Sequence, residues 1–207
     1  LVSAAIFVGV AGTIALFTMS DALITQLKKQ VAEDRLPMAQ VSVNADPGVS
    51  LDNAAYLTTL DALPGVTTVT GGIEGQPVYF QTADNADFEK GHIQSQVIVD
   101  DQGALQDVFG DDAPIESLLL TEGEYPHANA NEVVLEQRLA EEYGLDVGDT
   151  LLFRVLSPSQ QADQYGATGT VEPWTISGLV FDAYIGLDNP KQAVYARADD
   201  ALYLVGL

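Results

Sequence analysis

The chain has 207 residues, 47 % of them apolar, no cysteine, and 30 acidic side chains against 8 basic ones, a formal charge of −22 at pH 7. It is too apolar for a disordered acidic tail and long enough to bury a core without disulfides. The charge excludes a nucleic-acid surface, which needs clustered Lys and Arg, and the missing thiol excludes thiol catalysis, disulfide exchange and cysteine-ligated zinc.

Leu1–Ser20 carries no charge. At about 1.5 Å per residue, a helix of that length spans roughly 30 Å, the hydrocarbon thickness of a bilayer. Gly9 and Gly12 suit close helix packing in lipid. A signal-peptide core would follow a basic start, which is absent, and a buried soluble helix would show one polar face. Asp21–Leu36 then keeps helical spacing, with Leu23, Ile24, Leu27 and Val31 on one face, until Pro37 ends it. The spacing predicts a single transmembrane and stalk helix over residues 1–38. Its first charge past the apolar run is Asp21, with Lys28 farther out, whereas cytoplasmic flanks carry Lys or Arg at the boundary. The body after it is therefore expected outside the cytoplasm. The first forty residues are neutral overall, so the whole −22 falls on residues 41–207.

In that body, Gln40–Asn44 alternates and reads as a strand. Asp46-Pro47-Gly48 is a turn. Ser50 is the expected N-cap of a helix over Leu51–Leu63, with Leu57, Leu60 and Leu63 inward. Val66–Thr70 and Gln76–Gln81 read as strands, Thr82–Glu89 as a polar loop and Ile93–Val99 as a strand. Ala104–Phe109 reads as a short helix. Asn131–Leu135 reads as a strand and Glu136–Tyr143 as a helix closed by Gly144. Gly148-Asp149 turns into the strand Thr150–Val155. Residues 157–170 read as a flexible hairpin loop, Trp174–Phe181 and Val194–Ala196 as strands, and Asp199–Leu207 as the start of a helix. This order predicts an α+β body with a β-rich insertion between two parts of a mixed layer.

Catalytic signatures are sparse. His92 and His127 sit in no metal motif, and GxSxG, P-loop and GxGxxG patterns are absent. The pairs Asp100-Asp101, Asp111-Asp112, Glu141-Glu142 and Asp199-Asp200 read as solvated surface. Calcium is the sharper alternative, with Thr82–His92 the nearest, loose match to a calcium loop. No catalytic residue, metal ligand or cofactor is assigned, and the chain is expected not to be an enzyme.

The strongest pattern runs from Thr121 to Val155. With Leu120 just before it and Ile176 and Gly178 beyond it, the positions that matter are Glu122, Gly123 and Pro126; Asn131, Glu132, Val133, Val134 and Leu135; and Leu139, Ala140, Gly144, Leu145, Val147, Gly148, Asp149 and Thr150. Each has a folding role and none needs a ligand. This pattern resembles the extracytoplasmic domain of MacB/FtsX-type ABC-transporter permeases, with Glu124 where the family usually has Arg. The resemblance implies an outer body over residues 39–207. Within it would lie a porter-like subdomain (41–90 and 175–207) and an inserted β-rich subdomain (91–174). A body closed into a single barrel would count against it.

It also implies a cell-membrane protein held through residues 1–20, with its body on the periplasmic or extracellular side. The expected partners are a cytoplasmic ATP-binding subunit or domain, a second permease copy and a periplasmic adaptor. The expected role is to couple ATP-driven motion of the stalk to export or release of a lipoprotein, lipid, peptide or drug. The alternative is a membrane-anchored acidic domain that binds calcium or a cationic partner. A third class is an anchored hydrolase using buried carboxylates.

Overall fold

Period-two alternation of apolar residues sets the strands of the body, and capping chemistry sets its helices. The computed structural model describes residues 38–43, 52–115, 118–155, 169–182 and 192–206. All lie in the unit Pro37–Leu207. The predicted span and stalk, Leu1–Leu36, fall outside the described residues. Among the described residues no helix is long and apolar enough to cross a membrane.

The elements in chain order are α1 (Asn53–Asp61), β1 (Gln76–Gln81), β2 (Glu89–Gln94), β3 (Val97–Val99), β4 (Leu105–Asp107), β5 (Leu119–Gly123), β6 (Glu132–Glu136), α2 (Gln137–Tyr143), β7 (Thr150–Val155), β8 (Thr170–Phe181), β9 (Ala193–Tyr195) and α3 (Ala198–Val205). The α+β class is as expected. Six strands close a ring in the order β1–β2–β9–β6–β8–β7 and back to β1. The pairs β2–β9 and β6–β8 are parallel and the others antiparallel. The long strand β8 makes closure possible, because Thr175 faces Glu132 of β6 on one side and Thr150 of β7 on the other. Beyond that point β5 takes the place of β7 beside β8.

Alternation divides the apolar residues between the two faces of this wall. Val78, Phe80, Ile93, Val133, Leu135, Leu151, Phe153, Trp174, Ile176 and Val194 form one buried cluster. Val134, Val180, Ala193 and Tyr195 form a second, packed against Leu118, Leu120 and Tyr125. Helix α2 follows β6 and α3 follows β9, and these strands are antiparallel neighbours. The helices therefore stand at opposite ends of the barrel. Leu139 and Ala140 of α2, and Ala201, Leu204 and Val205 of α3, join the first cluster. Burying a large apolar side chain of this kind stabilises by about 1.5–3 kcal/mol, so this cluster dominates the fold.

Strands β2 and β8 run across the expected boundaries at 91 and 174. Strands from 41–90 (β1), 91–174 (β6 and β7) and 175–207 (β9) stand side by side in one barrel, and β8 runs straight across the boundary. The inward residues Trp174 and Ile176 continue on both sides of it, so nothing in the pattern breaks the sheet there.

Four local expectations also change. Ala104–Phe109 is not helical: Asp100 accepts from the backbone N–H groups of Gln102 and Ala104, Gly103 takes a left-handed φ of 81°, and the resulting turn pairs β3 with β4. Ile93–Val99 is two strands, broken at Ser95-Gln96, because its halves serve different sheets. Residues 40–43 and 66–70 lie outside any strand, and only Gly71 bridges to Val97. Asp52, not Ser50, caps α1, accepting from Ala55 N–H at 3.0 Å, and the helix stops at Asp61 with Leu57 buried and Leu63 exposed. Most of the 157–170 loop lies outside the described residues, although Val155 pairs with Thr170 at its base.

Asp107 ties the small β3–β4 sheet to α3. Its carboxylate accepts from Ala198 N–H at 2.6 Å and meets Arg197 at 2.8 Å. Asp107→Ala is expected to lower stability by about 1–2 kcal/mol, read as a downward shift of the denaturant midpoint.

Candidate functional site

The segment from β5 to β8 holds all the motif positions, some set by backbone demand and others by burial or side-chain hydrogen bonds. Gly123 and Gly178 face each other across β5 and β8. A Cβ on Gly123 would lie 2.2 Å from Ser177 O, and one on Gly178 would lie 2.5 Å from Glu124 O. The two glycines let the strands close up where β5 bends at its bulge after Leu120. Glu124 N–H then donates to Ser177 O at 2.9 Å. Pro126 is buried and leads to Asn131, whose left-handed φ of 51° turns the chain into β6. Asn131 O accepts from Thr175 N–H at 2.9 Å. Glu132 accepts from the backbone N–H of His127 at 2.8 Å and lies 3.0 Å from its ring Nδ1. Val134 belongs to the outer cluster, Leu139 and Ala140 to the inner one.

Gly144 closes α2 at φ 64°, donating to Ala140 O. Leu145 N–H donates to the same oxygen at 2.9 Å. Gly148, at φ 95°, donates to Ile176 O at 2.8 Å, and the Asp149 carboxylate accepts from Asp146 N–H at 2.9 Å. The loop is thus stitched to β8 by main-chain bonds. Glu124 is exposed beside His127, 3.6 Å from its Nε2.

A shallow cleft of about 440 Å³ opens between β5 and α2. Glu122, Glu141 and Asp146 give it three carboxylates, with Gln137 and Thr121 beside them and Leu179 among its apolar lining. Among the described residues there is no group of three or more His, Cys, Asp or Glu that could hold a metal ion. The hydrolase alternative requires a pocket with raised carboxyl pKa values. Asp200, at the start of α3 and outside the cleft, is held above its ordinary carboxyl value. Burial is the main cause, Asp107 and Asp199 add to it, and Arg197 opposes it.

A carboxyl whose pKa is raised on folding opposes folding once it ionises. The penalty is absent below its ordinary 3.8 and complete above the raised value. Asp200→Asn is therefore expected to raise the melting temperature at neutral pH, by about 2 °C, and to leave it unchanged near pH 3. Paired melts of variant and parent across pH check this.

Glu136 is a site that the motif hides. It is fully buried, yet its carboxylate caps α2, accepting from Arg138 N–H at 2.7 Å. Arg138 Nε and Nη2 each approach Glu136 Oε1 to 2.9 Å. Arg138 also donates to Asp182 O at 3.1 Å and lies over the Phe181 ring, while Tyr195 OH donates to Asp182 at 2.7 Å. The pairing with Glu136 raises the guanidinium pKa. The available signal was a glutamate at the strand–helix junction with Arg two residues on.

A family model described as the MacB-like periplasmic core domain matches residues 1–204. Among solved structures, the extracellular domain of the noncanonic ABC-type transporter YknZ from Gram-positive bacteria aligns with a TM-score of 0.42 and 10 % identity, covering 76 % of this chain and 67 % of that one. No curated protein sequence matches.

Proposed function

This chain belongs to the MacB-like periplasmic core domain family, the extracytoplasmic domains of ABC-transporter permeases, and we propose that it is the outer, non-enzymatic part of such a permease. In this reading Leu1–Ser20 spans the membrane and Asp21–Leu36 is the stalk. ATP is bound and hydrolysed by a separate cytoplasmic subunit or domain, and the stalk carries that motion to the body. A second permease copy completes the transporter, and an adaptor outside the membrane is a further partner.

The single observation that carries this reading is the family match, which takes in the uncharged run, the stalk spacing and the body together. The body fits the role mechanically. Strands β5, β6 and β7 are bonded to one strand, β8, so a push on one part of the wall is carried to the rest. The cleft offers carboxylates without a catalytic partner, which suits contact rather than chemistry.

These 207 residues hold no cysteine, so an introduced cysteine is the one thiol among them. Asp101 is exposed in the β3–β4 turn. With Asp101→Cys in the full-length protein, a membrane-impermeant maleimide is expected to label intact cells fully. Labelling that appears only after the membrane is broken would overturn the placement.

A further inference from the structure

The described residues hold 23 carboxylates against four Lys or Arg side chains. Of those carboxylates only Glu136 is buried. The cations are largely committed: Arg138 to Glu136, Arg197 to Asp107, and Arg154 over the Phe88 ring at 4.0 Å. The surface therefore carries a large excess of like charge. Asp100-Asp101, Asp111-Asp112, Glu141-Glu142 and Asp199-Asp200 set carboxylates on neighbouring residues, well inside the Debye length of about 10 Å that holds near 0.1 M salt. Unfolding relieves this repulsion, because the chain expands about twofold in radius. Among the described residues there is no group of three or more His, Cys, Asp or Glu that could hold a metal ion.

We infer that dissolved monovalent cations at high concentration are a working component of this fold, screening a body that repels itself in dilute buffer. Near 1 M salt the Debye length falls to about 3 Å, shorter than the spacing of adjacent Cα atoms. The effect is diffuse and needs no pocket. It places the outer face of this permease in a medium of high ionic strength, whatever substrate it moves.

Trp174 is the one tryptophan of the chain and is 1 % exposed inside the barrel, so its fluorescence reports unfolding directly. The experiment melts the full chain in neutral detergent from about 0.1 M to about 2 M NaCl, and again in KCl. The expected result is a rise of about 10 °C or more, alike in both salts. A second protein carries Asp61→Asn, Asp84→Asn, Asp87→Asn, Asp101→Asn and Glu142→Gln, all at exposed positions. It is expected to melt higher than the parent in dilute salt and to gain less from added salt. A flat parent profile would overturn the inference. So would a variant that keeps the whole gain, since salt would then act on apolar burial. A full gain from low-millimolar calcium alone would overturn it as well, by revealing a specific site.

Discussion

Replacing Gly178 with alanine is expected to lower the melting temperature by about 8 °C, a loss of roughly 2–3 kcal/mol. The cause is steric. The new Cβ would stand 2.5 Å from Glu124 O and 3.0 Å from Glu122 O, both backbone atoms that cannot swing aside. Strand β5 would have to lift from β8, weakening the bond from Glu124 N–H to Ser177 O. Gly123→Ala should cost at least as much, because its φ of 73° is also strained for any side chain. Gly103→Ala provides the control. Its φ is 81°, yet nothing lies within 4 Å of the added carbon, so only the backbone cost of about 1 kcal/mol is expected. Equal melting of Gly178→Ala and the parent would show that β5 and β8 are not in contact as described.

The second large effect lies at Arg138. Arg138→Met would leave the Glu136 carboxylate buried, still held by the backbone N–H of residue 138 but without the guanidinium. An uncompensated buried charge costs about 3–5 kcal/mol, and the partial exposure of Arg138 puts the expected loss near the lower end, about 3 kcal/mol. The double variant Glu136→Gln, Arg138→Met removes the charge with its partner and should recover most of that loss. Chemical denaturation of the parent, both single variants and the double variant gives the coupling directly. No recovery in the double variant would mean that Arg138 acts through packing on Phe181 rather than through Glu136.

Much of this fold was legible where local chemistry and tertiary demand agree. Gly144 as a left-handed cap, Gly148 at a turn and the alternation of Thr150–Val155 each have one reading, and the structure follows it. The misses have physical causes. Leu105 and Val108 sit at helical spacing, but the turn chemistry of Asp100, five residues before Leu105, overrides a segment that short. Ser50 and Asp52 are both competent caps, and which one closes the helix depends on where α1 can bury Leu57. Ring closure could not be read, because it depends on β8 being long enough to serve β6, β7 and β5 in turn. A barrel was the arrangement expected to count against the family, yet the match over 1–204 shows membership. In the candidate site, the motif residues were readable as turns and close approaches. Glu136 was not, since a helix-favouring glutamate ordinarily faces water.

The charge distribution found at the outset keeps its meaning in this setting. The described part of the body that carries it is a closed barrel, and of the carboxylates there only Glu136 is buried.

The central claim is that the body moves with the ATP cycle of a partner it never touches directly. The most direct test is the distance between spin labels at Asp101→Cys on two copies of the full-length permease, assembled with its ATPase in lipid. The account predicts two distance populations, one with ATP trapped by a hydrolysis-deficient ATPase and another with ADP, and loss of the change when the ATPase is omitted. A single distance in every nucleotide state, or no second label within range, would contradict it.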